Sequence, residues 1–228
     1  MNKIKAILFD LDGTLLDSAP DFLYIINLML ERHSQQPISL VTVTQQASNG
    51  ANAMLATAFK ISIDSSELSA LKAEFLERYL ELINVKSSLY PNVNQLLDYL
   101  DEQGILWGVV TNKPAKYTQL IMDHFKLSNR TKAIICPDHV KHPKPNPQAL
   151  FLAGSYLGIS NANTWYVGDH LRDIQAGQAA QMTTVGCRYG YLNSHDECDT
   201  WGADFIIDQP QQLIALIEQH QPANLPIS

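Results

Sequence analysis

With 228 residues, 46% of them hydrophobic and 17% charged, the chain is long enough to bury a core and is not a polar disordered chain. A formal net charge of −7 argues against a nucleic-acid partner, and no apolar run reaches membrane-spanning length. Cys136, Cys187 and Cys198 lack metal-type spacing and suit reduced thiols, and Met1–Lys5 leads straight into an apolar run, so a cytoplasmic protein without a signal peptide is expected.

The run Ala6–Phe9 ends in Asp10-Leu11-Asp12-Gly13-Thr14. Apolar residues followed at once by polar ones read as a buried parallel strand, whose carboxyl end is where open α/β sheets bind ligands. Side chains two apart in extended backbone share a face, so Asp10 and Asp12 repel each other unless a cation intervenes. Asp-Gly is also ordinary turn chemistry. From Asp17 to Arg32 the residues Phe22, Ile25, Ile26, Met29 and Leu30 recur at helical spacing, with Pro20 harmless in the first turn. Further helical stretches are expected over about 39–59 and 65–83, the first interrupted by Ser48-Asn49-Gly50-Ala51. Nothing there reads as a buried parallel strand, so residues 16–88 are expected to form an all-helical insertion, and 1–15 with 89–228 the core.

From Pro91 onward helices and strands alternate. The helices are expected near 92–103, 117–125, 148–157, 173–180 and 210–219. The strands are expected near 106–110, 133–136, 164–167, 182–186 and 204–207. This alternation predicts an α/β fold with a doubly wound parallel sheet. The tail after His220 is expected to fray. Trp107 and Trp165 read as core residues inside strands.

Four polar stretches follow apolar runs: Asp10/Asp12, Thr111-Asn112-Lys113, the Pro-rich loop 141–147 with Lys144, and Gly168-Asp169 with Asp173. Singly, Thr111, Asp169 and Asp173 would serve as helix caps and Lys144 as a solvated loop charge. Together they offer acids for a metal, a hydroxyl and a fixed cation at one sheet edge, a combination suited to a phosphate. Gly50, beside Asn49, either lets backbone approach a ligand or simply breaks a helix. Arg188, with Tyr189 and Tyr191, follows a strand end and either contacts substrate or packs a loop. His139, His142 and His170 show no metal-ligand spacing.

Asp10-x-Asp12-Gly13-Thr14, Thr111, Lys144-Pro145 and Gly168-Asp169-x-x-x-Asp173 resemble, in order and across nearly the whole chain, the four motifs of the haloacid dehalogenase-like hydrolases. The helical insertion resembles that family's small cap domain, set on a Rossmann-like core. The resemblance implies a Mg²⁺-dependent phosphomonoester hydrolase with Asp10 as nucleophile and an aspartyl-phosphate intermediate. It implies Mg²⁺ held by Asp10, the Asp12 carbonyl and Asp169, with Asp173 acting through water. Asp12 would protonate the leaving oxygen and then deprotonate water; Thr111 and the Asn112 N–H would bind phosphoryl oxygens; Lys144 would pair with Asp10 and the phosphate. The second acid, Asp12, is absent from the family's dehalogenases and replaced by threonine in its ATPases. A phosphosugar mutase of the family keeps it and stays open.

The segment Asn49-Gly50-Ala51 resembles the cap of the phosphoglycolate phosphatases. Leu106–Pro114, Ile135–His142, Arg188–Tyr191, Trp201–Asp204 and Phe75–Tyr79 resemble the branch acting on N-acetylmuramic acid 6-phosphate, linked to peptidoglycan recycling. That amino-sugar phosphate is the expected substrate, with phosphoglycolate the alternative. The reading from another class is a receiver-like phosphate-binding module, which needs neither the insertion nor Lys144. The expected partner is a small phosphomonoester, with no nucleic acid and no membrane, in a monomer or homodimer.

Overall fold

A computed structural model describes residues 3–192 and 198–220, so the expected fraying after His220 lies outside the described residues. The chain opens with β1 (Ala6–Phe9), all four residues buried, and then the two-residue strand β2 (Leu16–Asp17). Helices α1 (Ala19–Arg32), α2 (Leu40–Ala47), α3 (Ala51–Phe59) and α4 (Leu68–Leu82) follow, and β3 (Ser88–Leu89) pairs antiparallel with β2. Alternating elements complete the chain: α5 (Val93–Glu102), β4 (Leu106–Val110), α6 (Ala115–His124), β5 (Ile134–Ile135), α7 (Gln148–Leu157), β6 (Thr164–Gly168), α8 (Leu171–Ala179), β7 (Thr183–Cys187), β8 (Phe205–Ile207) and α9 (Gln212–His220).

The sheet order is β5-β4-β1-β6-β7-β8, with every pairing parallel. Ile7 and Phe9 of β1 face a core with Leu96, Leu97, Leu100, Ile121, Leu213 and Ile217, while Leu8 faces Leu150, Ala153, Tyr166 and Ala176 on the other side. Apolar residues on both faces are what a strand covered on both sides requires. Register sets up the site: Phe9 lies opposite Val109 and Val167. The residues that follow β1, β4 and β6 therefore emerge at one level of one edge.

Helices α1–α4 share a second apolar cluster built on Phe22, Ile25, Ile26, Val43, Leu55 and Phe75. Two devices tie it to the β2–β3 ribbon. Fully buried Asp21 accepts from the backbone N–H groups of Asn84 at 2.8 Å, Lys86 at 2.6 Å and Ser87 at 3.2 Å. The Tyr191 hydroxyl lies 2.9 Å from Asp17 Oδ1 and accepts from the Ala19 N–H at 2.8 Å.

Some element ends differ from the sequence expectation, each for a local reason. α6 starts at Ala115 because its N–H donates to Asp138 Oδ2 at 2.8 Å, an acceptor more than twenty residues away. α8 starts at Leu171 because His170 and Asp173 cap each other's backbone. α4 starts only at Leu68, since Ser65 is spent on a turn to the Glu67 N–H. No helix of the described residues is long and apolar enough to cross a membrane.

Candidate active site

Asp10 follows β1, and its Oδ1 accepts from the Leu11 N–H at 2.7 Å. Lys144 reaches it from the loop before α7, Nζ to Oδ1 3.0 Å, and lies 2.7 Å from Asp173 Oδ1. The same ammonium contacts the Val110 carbonyl at 3.0 Å and the Tyr166 hydroxyl at 2.8 Å. Its side chain is 1% exposed, and its ion-pair partners among the described residues are Asp10 and Asp173. Burial pulls its pKa down, but Asp10 and Asp173 outweigh that and hold it above the ordinary lysine value.

Asp169 follows β6 and is walled in by two glycines. Gly13 has φ +84°, and a Cβ there would fall 2.0 Å from Asp169 Oδ2; a Cβ on Gly190 would fall 2.2 Å from Asp169 Cβ. The Tyr191 N–H donates to Oδ2 at 2.8 Å, and Thr14 Oγ1 lies 3.4 Å from Oδ1. Burial first, then the Asp10 and Asp173 carboxylates, push the Asp169 proton well above the ordinary carboxylate range. Asp173 divides its carboxylate between two tasks, Oδ2 capping α8 through the His170 N–H at 3.1 Å and Oδ1 facing Lys144 and the Tyr166 hydroxyl. Burial raises its pKa too, against the pull of Lys144. One oxygen from each of Asp10, Asp169 and Asp173 can be chosen so that all lie within 4.8 Å of one another.

After β4, Thr111 is buried and accepts from the Lys113 N–H at 3.2 Å; it does not cap α6, whose cap position is Pro114. The Asn112 side chain donates to the Lys144 carbonyl at 3.0 Å and accepts from the Lys144 N–H at 3.1 Å, locking the lysine loop to the end of β4. The Asp12 carboxylate is not a member of that acid cluster, and both its oxygens lie 3.0 Å from Lys113 Nζ.

These groups open into one cavity of about 480 Å³ between the sheet edge and the helical unit. Asp10, Asp12, Thr111, Asn112, Lys144 and Asp169 form its floor. Asn49 and Gly50, from the break between α2 and α3, line it from above with Phe22, Phe75 and Tyr79. Gly50 has φ +83° with no atom near a would-be Cβ, so backbone conformation is what calls for glycine there. Arg188 is a correction: the structure does not bring it to the cavity. Its guanidinium lies on the surface, paired with Asp199 at 2.6 Å and with Asp208. Tyr189 and Tyr191 pack the loop, the Tyr189 hydroxyl donating to the Thr14 carbonyl at 3.0 Å.

Sequence reasoning missed Lys113 and Tyr166. The usable signals were a lysine directly after Thr111-Asn112 at a strand end and a phenol inside an all-buried strand, which needs a hydrogen-bond partner. It also missed Lys72, Lys116 and Arg172, which line the cavity although the chain is acidic.

The sequence model of the family described as haloacid dehalogenase-like hydrolase matches residues 7–187. This chain belongs to that family. Within it, this hydrolase is a phosphatase. It is 43% identical over 217 residues to the N-acetylmuramic acid 6-phosphate phosphatase of Pseudomonas aeruginosa, covering 95% of this chain and 96% of that protein. It is 40% identical over 209 residues to a phosphoglycolate phosphatase of Xanthomonas campestris pv. campestris, covering 92% and 94%. A crystal structure titled as a predicted phosphoglycolate phosphatase from Haemophilus somnus superposes with a TM-score of 0.82 at 31% identity, covering 95% of this chain and 99% of that one.

Proposed function

We propose that this hydrolase removes phosphate from a small phosphorylated sugar acid, N-acetylmuramic acid 6-phosphate, through a phosphorylated Asp10. The observation that carries the chemistry is Lys144 Nζ, 3.0 Å from Asp10 Oδ1 and buried on the floor of the cavity. It gives a carboxylate nucleophile and a fixed cation at one point, so a phosphate dianion can approach an anion. Asp10 attacks phosphorus, the bond from phosphorus to the sugar oxygen breaks, and Asp12 gives that oxygen its proton. Asp12 then takes a proton from water, whose oxygen attacks the phosphorus and frees Asp10. Thr111, with the Asn112 N–H, orients the phosphoryl oxygens, and Lys144 meets the charge that builds on them. Residues 16–88 act as the cap that keeps bulk water out.

The donor set suits Mg²⁺. Its members are all oxygens, they converge, and burial with the two neighbouring acids raises the Asp169 pKa, an imbalance that a cation at this point would offset. Asp10, Asp169, the Asp12 carbonyl and, through water, Asp173 would hold Mg²⁺, which when bound supplies positive charge to the phosphoryl oxygens.

Two features support the sugar acid. A cavity of about 480 Å³ is within the range of sites for drug-sized ligands and larger than a two-carbon acid needs. Lys72 and Lys116 line it without forming an ion pair among the described residues, in place to meet a second anionic group. The test is phosphate release from N-acetylmuramic acid 6-phosphate, phosphoglycolate and common hexose phosphates, side by side with Mg²⁺. The amino-sugar phosphate should give the highest kcat/KM, and EDTA or Asp10→Asn should abolish turnover. Preference for phosphoglycolate overturns the substrate assignment. An isomerised sugar phosphate in place of free phosphate makes the enzyme a mutase, and stoichiometric labelling without turnover makes it a receiver-like module.

A further inference from the structure

Lys113 is a second buried ammonium in the cavity, and the reaction above gives it no task. Its backbone is fixed at the turn between β4 and α6: its N–H donates to Thr111 Oγ1 at 3.2 Å, and its carbonyl accepts from Thr118 Oγ1 at 3.2 Å. From that anchor, Nζ lies 3.0 Å from each oxygen of Asp12. The ammonium also lies over two aromatic rings of the helical unit, with centroids 5.1 Å away for Phe22 of α1 and 4.9 Å for Tyr79 of α4. The lysine side chain is 7% exposed, so water contributes little to its surroundings. A cation against aromatic faces is held most strongly when it is desolvated in this way.

A carboxylate gripped through both oxygens has its plane and rotamer fixed, which an acid/base group needs to meet a leaving oxygen. As its proton passes to that oxygen, negative charge appears on Asp12, and the ammonium is already in place to meet it. We propose that Lys113 is the positioning residue for Asp12, and that Phe22 and Tyr79 complete its seat from the helical unit. The inference rests on the acid/base role given to Asp12 above. It makes the grip on the acid depend on α1 and α4 lying over the sheet edge, so proton transfer is fully supported only in that arrangement.

Loss of a positioned acid matters most when the leaving group is a poor one. A sugar alkoxide needs a proton to depart, whereas p-nitrophenolate does not. The test compares kcat/KM, which reports steps only through transfer of the phosphoryl group to Asp10, for N-acetylmuramic acid 6-phosphate and p-nitrophenyl phosphate. Lys113→Met should lower the first about a hundredfold and the second less than about fivefold, because general acid catalysis is typically worth 10²–10⁴. Lys113→Arg, which keeps charge and can bond both oxygens, should recover roughly tenfold of the loss. Tyr79→Leu, which leaves the Lys113–Asp12 pair intact, should show the same substrate bias on a smaller scale, about threefold to tenfold; it carries the comparison if Lys113→Met does not fold. Equal losses on both substrates overturn the inference and leave a merely structural lysine. A rise in KM on both, with weaker inhibition by inorganic phosphate, also overturns it, making Lys113 a phosphate ligand. Wild-type protein that hydrolyses neither substrate defeats the phosphatase mechanism itself, a result distinct from either.

Discussion

At the scale of single residues, Lys144 does the most with the least solvent. Its ammonium is the one cation within 3 Å of both Asp10 and Asp173 among the described residues, and it is also bonded to Val110 and Tyr166. Breaking a buried pair by deleting one partner is costly because the other charge is left uncompensated. Lys144→Met should therefore reduce stability by about 3–5 kcal/mol, read by urea unfolding, and lower phosphate release by at least about a hundredfold. A variant with wild-type stability would mean that the carboxylates take up protons freely in its place. Lys144 stood out in the sequence because a lysine in a Pro-rich loop after a short strand is conspicuous. Tyr166, which fixes the same ammonium, lay hidden in an apolar run. Arg188 misled for the opposite reason: it follows β7 directly, yet Asp199 and Asp208, distant in sequence, draw it to the surface.

At the scale of elements, periodicity located nearly every helix and strand, because burial on one or two faces dictates where apolar residues fall. Ends were less legible, since the acceptors that start helices come from remote loops, as Asp138 does for α6. Helix-to-helix contacts in the helical unit were also illegible. Glu74 of α4 sits under the end of α1, with Arg78 Nε at 2.9 Å, Arg32 Nη1 at 3.4 Å and His33 Nε2 at 3.5 Å. Burial works against its charge, but Arg78, His33 and Arg32 outweigh it and hold the pKa below the ordinary glutamate value. A carboxyl whose folded pKa is depressed contributes stability that is complete above its unfolded value and is lost as pH falls through the folded one. Glu74→Gln should thus cost about 0.5–1 kcal/mol at pH 7 and less near pH 3, where the carboxyl is taking up its proton. Urea unfolding of both proteins at the two pH values checks this; a gap that persists undiminished in acid would assign the effect to packing.

At the scale of the whole molecule, the order β5-β4-β1-β6-β7-β8 explains why residues up to 159 apart meet: β1 lies between β4 and β6 in register, so Asp10, Thr111 and Asp169 share one edge. The same convergence leaves three carboxylates around one ammonium inside a chain already at −7. Asp169 bears the strain of that imbalance, pushed towards its protonated form by burial and by its neighbours. A divalent cation that binds only the folded protein relieves it and stabilises the fold by mass action. At a hundred times its dissociation constant, Mg²⁺ should add about 2.7 kcal/mol. For a chain of this size that corresponds to a rise in Tm of roughly 5–10 °C. The Asp169→Asn variant separates this from a general salt effect. Without a third carboxyl group it should start out at least as stable as the wild type in EDTA, because a buried acid crowded by two others is gone. It should then gain little from Mg²⁺. A wild-type Tm that does not move with Mg²⁺, or an Asp169→Asn variant that gains as much as the wild type, would remove the metal from this cluster.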